Sequence, residues 1–137
     1  VTDGLDADMA NAGLDLLAAD TALTVHDGRV PDGATPPYVL VYTTVSRPQD
    51  HPGSKLPGDS RGFVARWICH CVGANAAAAR AVAQRVRTQL LDVKPIVPGL
   101  LCHPVRQADV LPPQKDESTG ALVMDLVADY EVYACPE

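Results

Sequence analysis

Sulfur and imidazole gather in three places along the chain: Cys69-His70-Cys71, Cys102-His103 and Cys135. That is enough ligand for a zinc site, so spacing decides the matter. Structural zinc takes paired ligands from knuckles with about two to four intervening residues. Here a single residue separates Cys69 from Cys71, and both lie in a run that alternates like a strand. Alternation turns His70 to the face opposite the two thiols. The pattern therefore predicts buried free thiols acting as small hydrophobes, and no metal. A disulfide is the lesser alternative, because no basic region followed by an apolar stretch opens the chain and a reducing compartment is expected.

Other chemistry fares no better. No G-x-S-x-G elbow is present, and Ser54, Ser60 and Ser118 fall in polar loops. Asp125 with Asp129, and Asp109 with Asp116, read as solvated carboxylates, since nothing nearby would raise a pKa. His26, His51 and His103 stand alone. Neither G-x-G-x-x-G nor a Walker-type lysine occurs, so no phosphate cradle is expected. The sequence predicts no enzyme activity and no cofactor.

The elements that would position any site belong to one domain spanning the 137 residues. Hydrophobic residues make up 47%, enough for a core, and Ala and Val alone supply 36 residues against one Phe and one Trp. Such a core is thin and strand-friendly. A net charge of −6 without any Lys/Arg run argues against phosphate neutralisation as the main work. Apolar stretches fall far short of the ~20 residues needed to cross a bilayer, and a soluble, unsecreted protein is expected.

Leu5, Met9, Ala12 and Leu16 recur at helical spacing, predicting a helix from about Leu5 to Ala19 capped by Asp3. A weaker stripe (Ala7, Ala10, Leu14, Ala18) lies opposite. It reflects either the helix propensity of Ala or a contact of Leu14 with another subunit. A short strand near Leu23 to Val25 and the strand Tyr38 to Ser46 follow. The stretch from Arg47 to Gly62 then carries three prolines and three glycines, a long flexible loop of the kind that usually has a function. Phe63 to Val72 reads as a second long strand, with Phe63, Ala65, Trp67, Cys69 and Cys71 facing the core and Trp67 its main anchor. Asn75 caps a helix over Ala76 to Leu91 with a stripe at Ala79, Val82, Ala83, Val86 and Leu90. Leu100 to Val105 forms a short strand broken by Pro104, Leu111 to Gly120 a polar loop, and Ala121 to Ala134 a final long strand. This order predicts an α+β fold, an antiparallel sheet of about four to five strands with two helices packed on one face.

These pieces resemble the tail terminator proteins of long-tailed bacteriophages. The likeness runs through the N-terminal helix, Gly28-Arg29-Val30-Pro31, and the strand Pro37-Tyr38-Val39-Leu40-Val41-Tyr42. It continues through Cys71-Val72-Gly73-Ala74, the helix end Val86-Arg87-Thr88-Gln89-Leu90-Leu91, Tyr130-Glu131-Val132-Tyr133 and the tail Cys135-Pro136-Glu137. The resemblance implies a homo-oligomeric ring, hexameric in the family, that caps the tail tube and stops its growth. It implies as partners the tail tube protein and the head-tail connector, or head completion protein, with double-stranded DNA passing through unread and no membrane contact. The expected location is the virion, assembled in the host cytoplasm. A head completion protein of the neck is the neighbouring reading, and a small ligand-binding α+β regulatory module is the alternative of a different class. Candidate assembly contacts are Leu14 and, in the long loop, Arg47, Asp50, His51, Lys55, Leu56, Asp59 and Arg61.

Overall fold

The computed structural model of the chain describes residues 4–46, 62–117 and 122–137. The run Phe63 to Gly73 alternates buried apolar residues with a mixed set of Val64, Arg66, Ile68, His70 and Val72, and it forms the centre of the fold as β3 (Phe63–Gly73). On one side it pairs antiparallel with β2 (Tyr38–Ser46), and on the other with β7 (Val123–Pro136). Outside β2 lies β1 (Val25–Asp27), running parallel to it, so the sheet is mixed at that edge and antiparallel elsewhere. The short strand thus falls two residues later than its Leu23 to Val25 expectation.

Along its far side β7 pairs in succession with β4 (Leu100–Cys102), β5 (Arg106–Val110) and β6 (Gln114–Asp116). These three are one edge strand cut twice, at 103–105 by Pro104 and at 111–113 by Pro112 and Pro113, where a missing N–H ends the ladder. Among the described residues the sheet is therefore five strands wide, although it has seven segments. Two expectations need correcting here. The Leu111 to Gly120 stretch contains a strand and not only a loop, and β5 was not foreseen. Both are largely exposed, so no apolar alternation announces them.

Helices α1 (Leu5–Ala18) and α2 (Ala76–Leu90) pack on the same face, the α+β arrangement expected. Asn75 accepts the Ala78 N–H at 2.8 Å, capping α2 as its position predicts. The expected stripe of α2 is its buried face: Ala79, Val82, Val86 and Leu90 are buried, and Ala83 packs beside them. For α1 the fully buried line is Met9, Gly13 and Leu17, rotated slightly from the expected Leu5, Met9, Ala12 and Leu16, of which Leu5, Ala12 and Leu16 are half-buried against the core. Trp67 explains the rotation. Its indole lies under α1 and donates from Nε1 to the Met9 carbonyl at 3.0 Å. A Cβ on Gly13 would stand 2.6 Å from the ring, so only glycine lets the helix come this close. Asp3, the expected cap, lies outside the described residues, and Gly4 occupies the cap position without a side-chain bond.

Trp67, Tyr130 and Phe63 are the largest fully buried side chains, and Trp67 and Tyr130 are cross-strand partners. Trp67→Ala should cost about 3–5 kcal/mol. Gly13→Ala should cost about 1–3 kcal/mol by overpacking. Because that penalty arises at the indole, it should shrink in a Trp67→Leu background, which a double-mutant cycle in urea measures. Equal penalties in both backgrounds would place the constraint elsewhere.

Candidate functional site

Both helices cover the sheet face of Trp67, and no described helix covers the other face. The registers arrange that open face as cross-strand rows. One row runs Tyr38, Val72, Asp125, Gln114, and the next Leu40, His70, Val127. A third runs Tyr42, Ile68, Asp129, Asp109, and a fourth Thr44, Arg66, Glu131, Arg106. At one end of this face Tyr38, Val72 and Val123 are buried in a cluster against which Val30 packs. Leu40, Ile68 and Val127 are half-buried in the middle, and carboxylates concentrate on the β5, β6 and β7 side.

His70 Nδ1 lies 2.8 Å from Asp125 Oδ2, linking β3 to β7. That hydrogen bond raises the imidazole pKa above its ordinary value against the opposing effect of burial, and the Asp125, Asp116 and Asp129 charges add to the rise. The Tyr42 ring stands edge-on to His70 with centroids 5.6 Å apart. Asp125 Oδ1 and Asp129 Oδ1 are buried without a hydrogen-bond partner. A bulge in β5 sets Asp109 directly opposite Asp129, like charge against like. In the fourth row Glu131 accepts from Arg66 at 3.2 Å and from Arg106 at 3.4 Å, so its charge is answered within the chain. Beside it Val64, His103, Pro104 and Tyr133 complete a cavity of about 220 Å³ with Arg106 and Glu131.

Placement of the predicted chemistry is mixed. Cys69 and Cys71 are buried on the helix-covered face, Cys102 is buried, Cys135 is half-buried, and all four are free. Burial pushes the Cys71 thiol up to about 12 and the Cys69 thiol higher still, with further rises from the Asp125 charge on Cys71 and from Cys71 on Cys69, so neither is a ready thiolate. Among the described residues no three His, Cys, Asp or Glu side chains are placed to hold a metal ion. His70 does point away from the thiols, as alternation requires. Asp125 and Asp129, expected to lie on a solvated face, are half-buried. Register alone brings His70 and Asp125 together, across 55 residues of sequence, and no local pattern signals it. Leu14 is half-buried and packs against the core. Arg47, Asp50, His51, Lys55, Leu56, Asp59 and Arg61 lie outside the described residues.

No protein-family model matches the chain, and no curated protein does. Among solved structures, its fold is shared with a chain from the virion of a native gene transfer agent particle. The TM-score is 0.64 at 20% identity, covering 91% of this chain and 94% of that one. A second solved structure aligns with a TM-score of 0.54 at 18% identity, covering 100% of this chain and 96% of that one. At these identities the likeness is one of fold. It defines a small α+β domain matched nearly end to end by both neighbours.

The His70 and Asp125 pair gives this face a pH signature. A folded-state pKa raised above the unfolded value of about 6.5 means stabilisation fully present below that pH. It is lost as pH rises through the folded value. Urea unfolding between about pH 5.5 and 9 should show the parent losing stability relative to His70→Gln as pH increases. An identical pH dependence for the two proteins would remove the pair from the stability of the fold.

Proposed function

We propose that this protein is a structural subunit of a tailed-phage-type virion, and within it the tail terminator. In this role it forms a ring on the growing tail tube, stops tube polymerisation and joins tail to head-tail connector. DNA crosses the ring without being read. The observation that carries the reading is the near end-to-end fold match to a chain of a gene transfer agent virion particle. The sequence resemblance to tail terminators independently points to the same class. Fold class, a single domain and an open sheet face suit a subunit that acts by contact, not catalysis.

The negative charge suits the ring as well, because a lumen that conducts DNA should not hold the duplex electrostatically. The exposed part of Leu14 and the loop residues Arg47, Asp50, His51, Lys55, Leu56, Asp59 and Arg61 are assembly contacts in this reading. Purified protein added to growing tail tubes should cap one end and halt elongation, visible in negative-stain images as tubes of fixed length. Tubes that elongate at the same rate with and without it would reject the terminator role.

Deleting Asp50 to Asp59 should leave a chain with native far-UV circular dichroism that no longer terminates tubes or supports infectious particles. A deletion variant that yields particles at the parent level would release the loop from assembly.

A further inference from the structure

Every charged residue on the outer face of α2 is cationic. The helix contains Arg80, Arg85 and Arg87 and not one acidic residue. Arg85 is spoken for, donating to Asp20 at 3.0 Å on the α1 side. Arg80 and Arg87 are exposed, and neither makes an ion pair within the described part of the chain. Seven residues apart, they fall on one stripe, about 10 Å from each other along the axis. Gln84 lies between them on that stripe, and the exposed Ala77 and Ala81 to one side are small and let another surface approach closely.

Complementary features lie on the opposite side of the molecule. Asp125 and Asp129 are four residues apart on β7, on the same face, hence about 13 Å apart. Asp109 opposes Asp129 directly, and Asp125 and Asp129 each have one buried oxygen without a donor, the other Asp125 oxygen being bonded to His70. Two arginines on long side chains at about 10 Å match two carboxylate positions at about 13 Å. Val127, half-buried between the two carboxylates, and Ile68, half-buried across from Asp129, offer apolar surface to Ala77 and Ala81.

We infer that the occupant of the open sheet face is a second copy of this chain, docked through the Arg80 and Arg87 stripe of its α2 onto the Asp109, Asp125 and Asp129 side of the sheet. The contact is head-to-tail, because each copy carries both complementary surfaces on opposite sides of its sheet. Repeated, it yields a ring where the rotation closes. Ring closure deepens the proposed terminator role and rests on it, whereas the pairwise contact rests on charge and geometry alone.

Charge reversal tests it through sedimentation at about 50 mM salt, where pairing of exposed charges is least screened. The parent should self-associate, more weakly as salt is raised. Arg80→Glu with Arg87→Glu should weaken association at least tenfold, and so should Asp109→Lys with Asp129→Lys. Mixing those two variants should restore association, since each then offers the surface the other lacks. Should the lysine variant fail to fold, Asp109→Asn with Asp129→Asn preserves shape and should still weaken association clearly. A parent that stays monomeric at low salt would overturn the inference. Reversed variants that associate like the parent, or a mixture that stays dissociated, would do the same. Tube capping is read separately, so a chain that self-associates in this way without capping tubes would reject the terminator role and leave the contact standing.

Discussion

The placement of Trp67 under α1 is the constraint from which the rest of the architecture follows. A single indole is the largest fully buried side chain, in a core otherwise made mostly of Val, Ala and Cys. Burying it requires a cover, and α1 supplies one at a distance that only Gly13 permits. The ring N–H then needs an acceptor in a dry environment, and the second lone pair of the Met9 carbonyl provides it. Packing and polarity together fix the depth and rotation of α1. With Trp67 facing the helices, period-two alternation sends Arg66, Ile68 and His70 to the other face, which neither helix covers.

A second dependency runs through β7. Its 14 residues pair with β3 along one side and with three short segments along the other. The polar segments β5 and β6 bury little of their own. Backbone hydrogen bonds to β7 hold them, and their prolines keep the edge from being a continuous template for another strand. Near the end of β3, Gly73 lets the first turn of α2 sit close, since a Cβ there would come within 2.4 Å of the Ala79 nitrogen. The same strand pair that carries the core thus also orients α2, whose arginines face outward.

How much of this was legible depends on whether a residue's neighbours carried the signal. The alternation of Phe63 to Val72 was readable because large apolar residues mark one face, and Asn75 was readable because a cap has a fixed offset from its helix. The rotation of α1 was not, because an apolar count gives Gly13 no weight although it makes the closest approach in the core. β5 and β6 were not, because a two-face-exposed edge has no periodicity to detect. His70 with Asp125 depended on register between β3 and β7, which is a tertiary property with no local trace. The candidate loop residues from Arg47 to Arg61 rest on composition alone.

Where a sequence breaks its own local rules, the compensating gain has to be sought outside the isolated chain. Asp109 opposite Asp129 is such a break, because directly opposed like charges weaken a strand pair, and a buried carboxylate oxygen without a donor adds to the penalty. Glu131, one row away, shows the ordinary remedy, two arginines on one carboxylate. The chain answers Glu131 with two arginines and Asp125 through one oxygen with His70, and leaves Asp129 facing Asp109, while Arg80 and Arg87 remain without acids on α2. Face-to-face pairing of two sheets would double the repulsion, and so would pairing of two α2 helices. Opposite surfaces brought together relieve both at once, which favours a polar, directional stacking of subunits over a two-fold dimer.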